Sequence, residues 1–214
     1  MEPGETTRQP QATPRGRGRP RSFDRSAALR KAVMAFWSEG YEATSVSDLT
    51  RAMGIGAPSL YAAFGDKRSL FEEALCLYDD EFGSFTARAL REEPTARAAV
   101  ARLLREAAAE FTDPAHPHGC MVIHAATNCT TPEVAETLRR RRNASIAAIE
   151  DRLRVGAAAG EPLPANRPET LARHVAAVFQ GMSQQARDGA SREELAAVAE
   201  IALSIWVRTG TPTR

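Results

Sequence analysis

Residues 54–65 read Gly-Ile-Gly-Ala-Pro-Ser-Leu-Tyr-Ala-Ala-Phe-Gly. Gly54 and Gly56 permit a tight turn, Pro58 has no N–H to lose in a first helical turn, and Leu60 and Phe64 stand four apart on one face. A short helix over 57–64 follows from that pattern. Just upstream, Ser45-Val46-Ser47-Asp48 offers an N-cap with an acid three residues on, close to a capping box but with Asp in place of Glu. Leu49, Ala52 and Met53 then form a short apolar face that must end at Gly54. Two short helices separated by a turn of a few residues are the helix-turn-helix arrangement, whose second member enters the major groove of DNA.

Helices this short cannot supply their own core. Upstream, Asp24 can cap a helix over 25–39 whose Ala28, Leu29, Ala32, Val33, Phe36 and Trp37 recur at three and four residues, and Gly40 ends it. Downstream, Asp66 can cap a long helix lined by Leu70, Phe71, Ala74, Leu75, Tyr78 and Phe82 and stopped by Pro94. That helix starts against the reader and runs into the rest of the chain.

Further helices are expected over 95–111, 118–128, 132–159, 168–188 and 192–207, with Pro and Gly between them. Ser191 with Glu194 is a capping-box match for the last. Alanine is abundant and alternating β-branched runs are absent, so the expected fold is all-α. It comprises an arm (1–22), a three-helix reader with the helix-turn-helix (23–70), and a larger helical domain (71–214) for effector binding and dimerisation. In its last two helices Ala172, Val175, Ala176, Phe179 and Met182, then Leu195, Val198, Ala202, Ile205 and Trp206, make more apolar surface than one chain needs. They can form half of a four-helix interface with a second copy, or serve only the intrachain core.

The 214 residues suffice for a real core without staples. Net charge is only +1, but Arg8, Arg15, Arg17, Arg19 and Arg21 face only Glu2 and Glu5 in the first 22 residues. Such a local excess suits a phosphate backbone, and equally a solvated leader. Three cysteines are too few for a disulfide framework and form no paired zinc motif. With no apolar leader or membrane-length apolar run, a reducing, cytoplasmic setting is expected. No nucleotide loop, His-Glu-x-x-His or Gly-x-Ser-x-Gly elbow is present, so neither an enzyme nor a cofactor is expected.

The run from Phe23 to Tyr78 resembles the DNA-binding domain of the tetracycline-repressor (TetR) family of bacterial regulators. The resemblance rests on Ala28-Leu29 through Ala35-Phe36, Gly40 to Ser45, Val46 through Leu49, Ala52 to Ile55, Pro58 to Tyr61, and Phe64 to Phe71. It implies a homodimer that represses transcription at a palindromic double-stranded DNA operator and leaves when a small molecule fills the C-terminal domain. By the same resemblance Pro58, Ser59 and Tyr61 lie on the reading helix, while Thr44, Val46, Tyr61 and Lys67 position the DNA backbone. Arg51 is an added phosphate candidate, and Arg17, Arg19 and Arg21 are candidates for the minor groove. Ala57, Ala62 and Ala63 replace longer polar side chains at the reading helix, so direct readout is expected to be sparse.

Past residue 80 the resemblance fades. Tyr78, Phe82, Phe85, Phe111, Met121, Phe179 and Met182 are candidates for an effector-pocket wall. His116, His118, Cys120, His124 and Cys129 crowd one short stretch. On a helix from 118, Cys120 and His124 would face the same way, and His118, Cys120 and His124 become metal-ligand candidates. A histidine beside a cysteine could instead make a thiol sensor, and ordinary packing is the bland alternative. The effector is thus a small molecule, a metal or a thiol-reactive compound.

Overall fold

Asp24 opens the first helix as expected, its carboxylate accepting from the backbone N–H groups of Ser26 and Ala27. The computed structural model describes residues 23–164 and 167–206, and among them every long element is helical. The helices are α1 (Arg25–Ala43), α2 (Val46–Met53), α3 (Ala57–Phe64), α4 (Lys67–Tyr78), α5 (Ser84–Glu92), α6 (Ala96–Glu110), α7 (Met121–His124), α8 (Pro132–Ala158), α9 (Pro168–Arg187) and α10 (Arg192–Leu203).

Gly40 interrupts α1 with a non-helical conformation, φ 82°, rather than ending it. The near-match at Ser45 is a complete capping box, since Ser45 and Asp48 satisfy each other's backbone N–H groups. Gly54 closes α2 in the left-handed conformation at φ 72°. Gly56 caps α3 in an extended conformation and needs no glycine-specific geometry. Leu49, Met53, Leu60 and Phe64 pack beneath α1 and α4, where Phe36 meets Phe71 edge-on at 4.9 Å.

Two further expectations are corrected. The long helix after Asp66 carries a five-residue π-helical segment, Asp79–Gly83, between α4 and α5. Its wider turn lies beside a cavity, as such bulges often do. The helix expected over 118–128 is only the four-residue α7, because Gly119 takes a positive φ of 75° ahead of it and residues 125–128 form turns, with Asn128 at φ 63°. The Ser191–Glu194 capping box that starts α10 is present.

Buried side chains run without a break from Ala28 in α1 to Trp206 beyond α10. Trp37 joins α1 to α4 and to the segment before α7: it packs edge-on against Tyr78 at 4.8 Å and stacks on His116 at 4.4 Å.

Candidate nucleic-acid interface and effector cavity

The turn at Gly54 sets α3 across α2 so that Leu60 and Phe64 are buried and Pro58, Tyr61 and Ala62 face solvent. Tyr61 is 50 % exposed, one of the few large apolar side chains left so open among the described residues. Ser59 is half-buried beside them. The outward face of α3 is thus short, aromatic at one point and otherwise small. Arg25, unmarked in the sequence reading, fixes it from beneath: its guanidinium donates to the Ala63 carbonyl, binds both Glu73 oxygens at 2.7 and 2.8 Å, and lies over the Phe64 ring. The available signal was an arginine one residue after a helix cap.

Around that face the other expected DNA contacts sort unequally. Val46 begins α2, half-buried beside its Ser45 cap, and Arg51 is exposed and paired with Asp48. Lys67 begins α4 with its ammonium 4.2 Å over the Tyr41 ring, and partial burial draws its pKa down. Thr44 is a correction: it is 1 % exposed and its hydroxyl donates to the Gly40 carbonyl, so it braces the entry to α2 rather than offering a surface donor. Arg17, Arg19 and Arg21 lie outside the described residues.

A cavity of about 470 Å³ lies between the α4–α5 rod, α6, α8 and α9. Of the expected wall residues it takes Tyr78, Phe85, Phe111 and Phe179, and with them the sensor candidate Cys120. Phe82, Met121, His124 and Met182 are not on it. Phe82 packs on Trp37 and His116, Met121 and Met182 are fully buried in the core, and His124 turns toward Gly40. The opposite wall, missed in the sequence, comes from α8: Arg141, Arg142, Ser145, Ile146 and Ile149. These side chains lie on an arginine-rich helix, whose sequence reads as a solvated surface.

The histidine and cysteine cluster is pulled apart. Cys120 caps α7 and bonds to Tyr78, and burial pushes its thiol pKa up, away from a reactive thiolate. His118 is exposed, while His124 packs on the far side and has its pKa lowered by burial and by Arg187. Among the described residues no three His, Cys, Asp or Glu side chains are gathered to hold a metal. The trio His118, Cys120 and His124 fails as a ligand set because α7 is too short to align them.

Residues 28–74 match the model of bacterial regulatory proteins of the tetR family. The chain is 39 % identical over 202 residues to the HTH-type transcriptional repressor ComR of Escherichia coli (strain K12), covering 92 % of this chain and 95 % of that protein. The chain belongs to the TetR family. It is also similar to the HTH-type transcriptional repressor BdcR of the same organism, 31 % identical and covering 86 % of this chain and 90 % of that one. Among solved structures it is similar to the TetR family transcriptional regulator CifR, a cysteine mutant complexed with 26 bp double-strand operator DNA. That likeness has a TM-score of 0.84 at 45 % identity, spanning 88 % of this chain and 100 % of that one.

As a TetR-family member the chain is a helix-turn-helix, DNA-binding transcriptional regulator rather than an enzyme. Its all-α architecture, with a helix-turn-helix ahead of a helical C-terminal bundle, is that of the family. Among the described residues no helix is long and apolar enough to cross a membrane.

The TetR-family reader is wired to the cavity through the segment before α7. Trp37 Nε1 donates to the Gly119 carbonyl at 3.1 Å, and the next residue, Cys120, lines the cavity. Gly119 and Cys120 are pinned to α9: Cys120 N–H donates to the Ser183 hydroxyl at 2.8 Å, and Arg187 donates to the carbonyls of Trp37, Ser38 and His118.

Proposed function

We propose that this TetR-family chain is a ligand-responsive repressor that binds a palindromic operator as a homodimer and leaves it when a small molecule occupies the cavity. The observation that carries this reading is the Trp37–Gly119–Cys120 linkage, which joins a cavity wall to the helix supporting the reader. The repressor names of ComR and BdcR and the operator complex of CifR support it.

In this reading residues 23–70 read DNA and residues 71–214 bind effector and partner. Pro58, Ser59 and Tyr61 face the major groove, Val46, Arg51 and Lys67 flank the phosphates, and Arg17, Arg19 and Arg21 of the arm reach the minor groove. The partner copy docks on α9 and α10. Support comes from Ile201, 71 % exposed on α10, and from Gly181 on α9, where an added Cβ would meet open space. Such surface suits close helix approach across a two-fold axis. The buried Cys120 thiol favours a cavity wall over a thiol sensor.

The test is to select binding sites from a random DNA pool and to weigh the free protein and its complex by analytical ultracentrifugation. A two-chain species at micromolar concentration, bound to a palindrome with half-sites about 34–36 Å apart, is expected. A monomer that binds the selected site with full affinity would contradict the dimeric reading.

A further inference from the structure

The charged residues on the cavity are Asp79, Arg141 and Arg142, against a lining that is otherwise largely apolar. Arg141 is spent on Asp79, which it ion-pairs directly. Arg142 has no such partner among the described residues. Its Nη1 is shielded from solvent and bonded to nothing among the described residues. A guanidinium nitrogen removed from water and left unpaired is costly, and the cost is removed when an anion accepts from it.

The polarity of the cavity is also graded along its length. The α4–α5 rod and α8 run side by side in the same direction, since Arg141 meets Asp79 near one end and Arg152 donates to the Glu93 carbonyl near the other. Asp79, Arg141 and Arg142 therefore mark a polar end, while Leu90 and Ile149 lie toward an apolar end. From Arg141 to Ile149 the helix advances about 12 Å.

We infer that the effector is an amphipathic monoanion, a carboxylate on a medium-length apolar body, whose head is bound by Arg142 and whose tail lies along Ile146 and Ile149. The inference rests on the cavity being the effector site, as proposed above. A planar carboxylate matches the fork geometry of a guanidinium, and one negative charge balances the one cation that Asp79 leaves over. The Asp79 carboxyl, whose pKa burial raises and Arg141 pulls back down, is tied to its own arginine and does not serve the second.

Calorimetric titration with decanoate and with 1-decanol separates the two ideas. The wild type should bind decanoate at least tenfold more tightly than decanol. Arg142→Gln should lose that preference while still binding decanol within about twofold of the wild type. Ala148→Trp, which fills the cavity from α8, should weaken both. Equal wild-type affinity for the two probes, or undiminished decanoate binding by Arg142→Gln, overturns the anionic ligand and leaves the cavity reading standing. Absence of binding by both probes, or insensitivity of both to Ala148→Trp, overturns the cavity reading and this inference with it. The wild-type comparison stands even if Arg142→Gln fails to fold.

Discussion

The indole of Trp37 donates to the Gly119 carbonyl at 3.1 Å, so the helix that carries the reader holds the residue preceding the cavity's Cys120. Neither partner is near the other in sequence. Trp37 is also enclosed by Tyr78, Phe82 and His116, so its ring cannot shift without moving the turn ahead of α7.

Replacing Trp37 with Phe keeps an aromatic ring but leaves the Gly119 carbonyl without its donor. An unsatisfied buried acceptor costs about 1–3 kcal/mol, so urea denaturation should show stability falling by that order. Unchanged stability would mean that the hydrogen bond does not tie the two segments.

Gly119 itself permits a sharper test. It sits at φ 75°, and an added Cβ would lie 2.6 Å from the Ser183 carbonyl oxygen. Gly54 has a similar φ of 72° but open space around it. Gly54→Ala should cost about 1–2 kcal/mol from backbone strain alone. Gly119→Ala should cost that plus about 1–3 kcal/mol for displacing α9. Equal losses in denaturant melts would show that the turn is not clamped to α9.

The contrast between these glycines shows what was legible in the sequence. The reader was legible because caps, turn residues and apolar spacing are local: Asp24, Ser45, Gly54 and Asp66 each act on neighbours a few residues away. The clamp was not, since Gly119 is matched to Ser183 only after α9 folds back. The cavity was half legible. Tyr78, Phe111, Cys120 and Phe179 could be picked out by type, but the α8 wall came from residues whose periodicity is masked by arginines. His118, Cys120 and His124 misled because their spacing had meaning only on a helix that Gly119, at φ 75°, does not allow.

Glu42 gives an acid-sensitive joint between α1 and the segment before α8. Hydrogen bonds from Thr131 first, then Thr130, hold its carboxylate pKa down to about 2 from an ordinary 4.5. The two backbone N–H groups approach to 2.7 and 2.9 Å. A depressed folded-state pKa adds stability that is fully present above pH 4.5 and lost as pH falls toward about 2. Wild type should therefore exceed Glu42→Gln in urea midpoint above pH 4.5, and the two should converge near pH 2. A gap that does not change with pH would show that the carboxylate charge plays no part.

The central claim is that α3 reads the operator through its exposed face, and fluorescence anisotropy of a selected palindromic site titrated with wild type and Tyr61→Ala tests it most directly. Because Tyr61 is half exposed and off the core, the account predicts a loss of operator affinity of about tenfold or more, on the order of 1–3 kcal/mol, with an unchanged melting temperature and an intact dimer. Operator affinity equal to that of the wild type would contradict it, as would weakened binding explained by a lowered melting temperature.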